Sequence, residues 1–175
     1  KSGTKPELKN YGYLESFDYL DRSNAAFQTS TLHLEERQIA SYINALMKQS
    51  NIQPAPVVAS LPSFSSFTTL VEMPQLSDAE IAQSIKLQAA QWMKVGERTD
   101  EDGTKKLQLF LISVSNEIIA RYKNIFKLAG LELKALEIEG LSLARALTAT
   151  VGETTLIIDT GSRSSVLLVA EGGLP

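Results

Sequence analysis

The sequence predicts a mixed α/β fold, in which a mixed β-sheet is covered by helices. Segments with the 3.6-residue period of amphipathic helices alternate with short apolar runs rich in β-branched residues. Hydrophobic residues make up 43% of the 175 residues, so the chain can bury a substantial core. Strands that alternate with helices in this way are typical of layered α/β domains.

The first half of the chain carries one strong helical pattern, in which Ile39, Tyr42, Ile43, Leu46 and Met47 recur on one helix face. The short runs that follow it are bounded by Pro56, Pro62 and Pro74 and predict two strands that pair with each other across Ser63–Ser66. In order, we predict a strand at Tyr13–Tyr19, a polar connection at Asp21–Thr31, a helix at Glu35–Gln49, and strands at Val57–Leu61 and Phe67–Met73.

A second helix is predicted to begin after Ser77, because Ser77 and Glu80 have the spacing of a capping box. Its apolar face continues through Ile81, Ile85 and Ala89, and we expect it to end near Gln91. Asp78 and Glu80 are explained by the preference of helix N-termini for negative charge, not by acid–base catalysis.

The second half of the chain continues the alternation of strands and helices. Arg98–Lys106 is charged and contains Gly103, so it is expected to be a turn between strands. After it we predict, in order, a strand at Leu107–Val114, a helix from Ile118 to Ala129 closed by Gly130, a strand at Leu133–Glu139, a helix at Leu141–Ala149, and strands at Thr154–Asp159 and Ser164–Ala170 that are joined by a tight turn at Gly161.

Composition excludes several classes of function. The net charge of −3 leaves no extended basic surface for nucleic acid or anionic lipid. Without cysteine, the chain has no disulfide, thiolate metal site or cysteine nucleophile, which fits a reducing compartment. His33 is the sole histidine, so a histidine-based triad or multi-histidine metal site cannot form within it. No apolar run approaches the roughly 20 residues that span a bilayer, and we predict a cytoplasmic protein.

One strand-turn-strand segment could bind phosphate. A strand delivers Asp159 to a turn at Gly161, and a second strand leaves at once. Glycine lets backbone N–H groups approach phosphate oxygens closely, and the aspartate can hold hydrated Mg²⁺. An ordinary polar hairpin is the alternative interpretation of this short pattern.

In its context the segment resembles the phosphate loop of the actin, sugar kinase and heat-shock ATPase superfamily, in which Asp-x-Gly-x-x-x-Thr/Ser joins two strands. The resemblance implies that phosphate is held by Asp159, Thr160, Gly161, Ser162 and Ser165. Asp159 would also hold Mg²⁺ through water.

Just upstream, Leu136–Ala146 resembles the connecting segment of that superfamily, a strand that ends in glutamate and is followed by a helix of small residues. Glu139 stands where bacterial actins place a carboxylate that orients the attacking water, which makes it the candidate catalytic residue. A helix-capping or surface role for Glu139 is the alternative.

Four further segments resemble the PilM family of type IV pilus assembly proteins, whose relative FtsA shares the same architecture. They are Val57–Pro62, Phe67–Pro74, Ser77–Ile81 and Ala129–Leu131, and the resemblance extends from about Tyr11 to Gly173. It implies an actin-like, ribonuclease H-like sheet with an inserted α+β subdomain. The implied domains are residues 1–31 in the first actin-like subdomain, 32–106 in the inserted subdomain, 107–150 returning to the first subdomain and its connecting helix, and 151–175 beginning the second.

The chain departs from the family pattern in three places. It lacks the first Asp-x-Gly phosphate loop, lacks about a dozen residues near positions 91 and 92, and ends at Pro175 before the second half of the nucleotide domain. The last strand runs into Glu171–Gly173 without a returning strand, so we expect the natural protein to be longer. A complete site for ATP and Mg²⁺ is therefore expected only in the full-length protein.

The family resemblance implies a scaffold at the inner face of the cytoplasmic membrane. Such a scaffold binds ATP and the cytoplasmic tail of a PilN-like membrane protein, contacts other pilus inner-membrane proteins, and is at most a slow ATPase. The alternatives are an FtsA-like division tether, which needs a C-terminal amphipathic helix, and a phosphotransferase of the same superfamily. The peptide-binding residues are not identified, because Trp92 and the aromatic residues Phe64, Phe67 and Phe110 could line a peptide groove or fill a core.

Overall fold

The computed structural model describes residues 7–14, 34–85, 90–148, 152–161 and 165–173. Contacts divide the chain into two compact units, one with residues 1–57 and 121–134 and the other with residues 58–120 and 135–175. The elements in chain order are α1 (Glu36–Gln49), β1 (Val57–Leu61), β2 (Ser66–Pro74), α2 (Asp78–Ser84), β3 (Ala90–Thr99), β4 (Lys105–Val114), α3 (Asn116–Leu128), β5 (Leu133–Ile138), α4 (Glu139–Leu147), β6 (Thr154–Thr160) and β7 (Ser165–Glu171).

The first unit is built on α1 and the C-terminal part of α3, both of which the sequence predicted. A capping box fixes the start of α1, where the Glu35 amide donates a hydrogen bond to Gln38 Oε1 at 3.1 Å. Gly130 has a φ of +73° and ends α3, as its position in the sequence predicted. The buried core of this unit consists of Ala40, Ala129 and Leu131, against which Ile43, Met47, Val57 and Phe126 pack.

The strands form three small sheets, and one predicted pairing is wrong. β1 pairs with β5, β6 pairs with β7, and the third sheet has the order β2-β4-β3. The sequence predicted that β1 and β2 pair with each other. Instead, a short 3-10 turn at Ser63–Ser65, closed by the Ser65 amide on the Pro62 carbonyl at 2.9 Å, lies between them. β2 pairs antiparallel with β4 over its full length of nine residues.

In the second unit, α2 packs on the three-stranded sheet. Ile81 of α2 is fully buried with Leu107 and Leu109 of β4, and Trp92 of β3 packs against this cluster. The predicted capping box is confirmed: the Ser77 amide donates to Glu80 Oε2 at 2.8 Å, and the Glu80 amide donates to Ser77 Oγ at 3.4 Å. These bonds satisfy amide groups that the first helical turn leaves unpaired.

The predicted extent of the second helix is wrong. α2 ends at Ser84, and β3 already begins at Ala90, six residues later along the chain. Ala90 and Gln91 are therefore strand residues, paired with Ser113 and Ile112 of β4. The connection from β3 to β4 is the predicted charged turn, in which the Asp100 amide donates to the Thr104 carbonyl at 3.0 Å.

Some predictions concern residues outside the described ranges. In the predicted strand at Tyr13–Tyr19, Tyr13 has no regular secondary structure, and nearly all of the rest lies among residues 15–33, outside the described ranges. The predicted connection at Asp21–Thr31 and His33 also lie outside the described ranges. Ala89 also lies outside the described residues. Among the helices that the structure describes, none is long and apolar enough to cross a membrane.

Candidate functional site

The candidate phosphate-binding residues lie at the tip of the β6–β7 hairpin. The register pairs Asp159 with Val166 and Thr160 with Ser165, so the two predicted strands are confirmed and pair antiparallel. Asp159 is partly buried, whereas Thr160, Gly161 and Ser165 are exposed. Ser162, the remaining residue of the predicted phosphate loop, lies outside the described residues.

The two faces of this hairpin have different environments. Ile157 of β6 and Ala170 of β7 are buried with Ala144 of α4, so one face of the hairpin packs on α4. Successive side chains of a strand point to opposite faces, so Asp159 shares the face of Ile157. Asp159 therefore lies on the α4 side of the hairpin, two residues nearer its tip. The opposite face carries aliphatic side chains that are more than half exposed, namely Leu156, Ile158, Leu167 and Val169.

Two contacts fix the direction of α4 relative to the hairpin. At the end of α4, the hydroxyl of Thr148 accepts a hydrogen bond from the Gly173 amide at 2.7 Å. At its beginning, a methyl group added to Gly140 would lie 3.9 Å from Leu168 Cδ2. α4 therefore runs parallel to β7, and its first turn faces the hairpin tip. Val166, opposite Asp159, is two residues closer to the tip than Leu168, or roughly 7 Å along the strand.

Glu139, the candidate catalytic residue, begins α4. The sequence placed it at the end of a strand, but β5 ends at Ile138 and Glu139 is the first helical residue. The Glu139 side chain makes no hydrogen bond or ion pair within the part of the chain that the structure describes. The parallel course of α4 and β7 thus places Glu139 and Asp159 towards the same end of these elements.

The neighbouring carboxylate, Glu137, has a structural partner instead. Its two carboxylate oxygens accept hydrogen bonds from the guanidinium of Arg145, in the last turn of α4, with Nη2 lying 2.6 Å from Oε2. This hydrogen bond holds the pKa of Glu137 below its usual value, although burial acts in the opposite direction. The pair ties β5 to α4, so Glu137 is not available to a ligand in the way that Glu139 is.

The first turn of α4 has no side-chain cap, because the side chain of its N-cap residue, Ile138, has no hydrogen-bond acceptor. Unpaired N–H groups at a helix start carry partial positive charge and favour anions. Asp159, which is partly buried, and the exposed Gly161 lie near the tip of the hairpin, towards which this first turn is directed. This combination of donors and one carboxylate fits a magnesium–phosphate group, since Mg²⁺ is usually held by one or two carboxylates, phosphate oxygens and water.

Protein ligands alone do not form a metal site here. Within the ranges that the structure describes, no three His, Cys, Asp or Glu residues are close enough to hold a metal ion together. A cation at Asp159 would therefore depend on phosphate and water for its remaining ligands. Nothing in the sequence pattern indicated Thr148, which was predicted to lie inside a helix ending at Ala149 and which instead caps α4 and anchors the turn at Gly173.

The aromatic residues do not form one groove. Trp92 packs in the α2 core, and Phe110 is partly buried on the other face of the same sheet. Phe64 and Phe67 are 53% and 62% exposed. The core interpretation therefore holds for Trp92 and not for Phe64 and Phe67.

Comparison with solved structures shows a similarity of fold. No protein-family model and no curated protein matches the sequence. A chain of a solved structure, described as a PilM-PilN type IV pilus biogenesis complex, matches with a TM-score of 0.66 and 18% sequence identity over 81% of this chain. The match covers 46% of that chain, so this protein spans about half the length of that structural neighbour. The fold is thus part of an actin-like α/β fold of the kind found in that complex.

Proposed function

We propose that this chain is part of a cytoplasmic scaffold of type IV pilus assembly, which binds Mg-ATP and the cytoplasmic tail of a PilN-like membrane protein. The observation that carries the nucleotide half of this proposal is the common position of Glu139 and Asp159. α4 runs parallel to β7, so Glu139 at its start and Asp159 near the hairpin tip lie towards the same end of these elements. Phosphate held there has backbone donors on two sides and a carboxylate for the cation.

The residues have separate roles in this proposal. Asp159 holds Mg²⁺ through water, and Thr160, Gly161, Ser162 and Ser165 surround the phosphates. Glu139 accepts a hydrogen bond from the water that attacks the terminal phosphate. When bound, Mg²⁺ neutralises phosphate charge. In this proposal hydrolysis is slow and the protein acts through its nucleotide state.

The partner half of the proposal is supported by the structural neighbour, which is solved together with PilN. If nucleotide changes the affinity of the scaffold for a membrane protein, the nucleotide site and the peptide site share a coupling free energy. This coupling is reciprocal. ATP should therefore strengthen or weaken peptide binding by the same factor by which the peptide changes ATP binding.

The experiment is a calorimetric titration of the full-length protein with the N-terminal cytoplasmic peptide of the PilN-like protein encoded with it. Titrations with and without Mg-ATP, and with a scrambled peptide as control, measure the coupling directly. Saturable binding that shifts with Mg-ATP supports the scaffold. If the peptide does not bind and the protein forms filaments on adding ATP, the FtsA-like alternative replaces it. Steady turnover of a small phosphate acceptor would identify a phosphotransferase.

A further inference from the structure

The two edges of the three-stranded sheet in the second unit differ in character. β2 and β3 are the outer strands, because both pair with the central β4. An open strand edge can pair with another chain, and natural edges are usually interrupted by a bulge or by charged side chains. β3 has both features: its register shifts between Lys94 and Gly96, and Lys94 forms an ion pair with Asp78 at 2.9 Å. The β3 edge is therefore unsuited to a further strand.

The β2 edge lacks these features. β2 runs for nine residues in unbroken register with β4 and contains one charged side chain, that of Glu72. Its proline, Pro74, is the last residue of the strand, so every earlier position has a backbone amide. Among the residues that the structure describes, no strand pairs with the outer edge of β2, and Phe67 and Leu70 are more than half exposed. The β2 edge is therefore open to a further strand.

The sequence of β2 is complementary to itself in an antiparallel arrangement. When two copies overlap over all nine residues, Leu70 of one copy lies opposite Leu70 of the other. Thr69 then lies opposite Val71, so β-branched side chains meet on one face of the sheet. On the other face, Glu72 lies opposite Thr68 and not opposite a second carboxylate. This register therefore brings no like charges together.

The cross-strand neighbours of Leu70 favour the same arrangement. Leu70 is paired with Phe110 of β4, and Phe110 is paired with Met93 of β3, so the three form an apolar row on one face of the sheet. Joining two copies at Leu70 continues this row from one copy into the other. Next to the row, the Glu72 carboxylate accepts a hydrogen bond from Arg98 Nη1 at 3.4 Å, so its charge has a partner within its own copy.

We propose that β2 is a self-association edge, to which a second copy of this protein adds its own β2 antiparallel. The product is a two-fold symmetric dimer with one continuous sheet. Because the two-fold axis passes through Leu70, both copies make the same contacts and neither β2 edge is left open. The inference goes beyond the proposed function and does not depend on nucleotide or peptide binding.

Sedimentation velocity of the full-length protein over a concentration series tests the dimer. The variants are Leu70→Lys, which sets two positive charges opposite each other, and Gln91→Lys, a matched control at an exposed position of β3 in the same sheet. Wild type and Gln91→Lys should dimerise with similar dissociation constants, whereas Leu70→Lys should raise the dissociation constant by at least about tenfold. Far-UV circular dichroism should give the same spectrum for all three proteins, which separates loss of the dimer from loss of the fold.

A cysteine cross-link tests the register of the dimer. The 175 residues contain no cysteine, so Leu70→Cys adds a thiol at the two-fold axis without a competing thiol among them. Oxidation by diamide should join two copies through a disulfide bond, because Cβ atoms directly opposite each other lie about 4.5–5.5 Å apart in antiparallel pairs. Gln91→Cys and wild type, treated in the same way, should give only the background.

Several outcomes would overturn the inference. They are a wild type that stays monomeric over the whole series, a dimer that Leu70→Lys leaves unchanged or that both lysine variants weaken equally, and equal cross-linking of the two cysteine variants. If the wild type is monomeric and Leu70→Lys weakens binding of the PilN-like peptide, the β2 edge takes that peptide instead of a second copy. A protein that dimerises but binds neither Mg-ATP nor the peptide would refute the proposed function and leave this inference intact.

Discussion

The Thr148 hydroxyl accepts a hydrogen bond from the Gly173 amide at 2.7 Å and donates one to the Ala144 carbonyl at 2.7 Å. Thr148 is only 5% exposed; its bond to Ala144 is buried and its bond from Gly173 is partly buried. They join the end of α4 to the turn that follows β7. Because α4 is held parallel to β7 in this way, its first turn and Glu139 face the tip of the hairpin. A buried threonine at one end of the helix thus supports the candidate site at the other.

Thr148→Val should lower the free energy of unfolding by about 1–3 kcal/mol. Valine has nearly the same shape but leaves the partly buried Gly173 amide without its acceptor. Thr154→Val, on the exposed end of β6, is the control and should change stability by less than about 0.5 kcal/mol. Urea denaturation of the three proteins measures the difference. Equal stabilities of Thr148→Val and wild type would show that the Gly173 amide finds another partner.

Alanine substitutions at two glycines near helix ends should change the stability of the protein in opposite directions. Gly130 has a φ of +73°, and alanine in this conformation costs about 1 kcal/mol or more, although no atom lies near the added methyl group. Gly140 lies inside α4 and has no positive φ; the added methyl group would meet its neighbours at 3.5 Å and 3.9 Å, which are ordinary contact distances. Gly140→Ala should therefore stabilise the protein by up to about 1 kcal/mol. Thermal unfolding of the two variants side by side distinguishes backbone strain from lack of space.

The local elements could be predicted from the sequence because their signals are short-range. The capping box at Ser77 and Glu80 lies within four consecutive residues, and both of its hydrogen bonds form as predicted. Gly130 ends α3 for a reason contained in its own backbone angles. The same holds for the β6–β7 hairpin, in which the turn brings Asp159 and Val166 opposite each other.

The pairing of β1 and the position of Ser63 could not be predicted from local patterns. β1 and β2 follow each other closely, which favours a hairpin, but β1 pairs with β5, more than 70 residues further along the chain. Period-two patterns show that a segment is a strand and do not show which strand it pairs with. Ser63 is close to Gly140 only because of the tertiary fold, so no spacing in the sequence indicates this proximity.

The ion pair between Glu137 and Arg145 should make stability depend on pH in the acid range. The pKa of Glu137 is lower in the folded protein than in the unfolded chain, because it accepts hydrogen bonds from Arg145. The stability that this shift provides is present above the unfolded-state pKa and is lost as the pH falls through the folded-state pKa. Urea unfolding of Glu137→Gln should therefore show a flatter loss of stability below about pH 5 than wild type.

Solvent limits the size of this effect at neutral pH, since the Arg145 side chain is 65% exposed and the pair is screened by water and salt. Glu153→Gln removes an exposed carboxylate that makes no hydrogen bond or ion pair with the described residues, so it serves as the matched control and should follow the wild-type curve. If Glu137→Gln also followed that curve, the folded and unfolded pKa values of Glu137 would have to be equal.

The two carboxylates of the candidate site should separate nucleotide binding from hydrolysis in the full-length protein. Asp159→Asn keeps the shape of the side chain but removes the charge that attracts Mg²⁺, so Mg-ATP should bind at least about tenfold more weakly. Glu139→Gln keeps a group of similar size at the first turn of α4, so binding should remain within about threefold, while any slow phosphate release should fall by about tenfold or more. Fluorescent-nucleotide titration and single-turnover phosphate release measure the two quantities. The assigned roles would be reversed if Glu139→Gln lost binding and Asp159→Asn kept it.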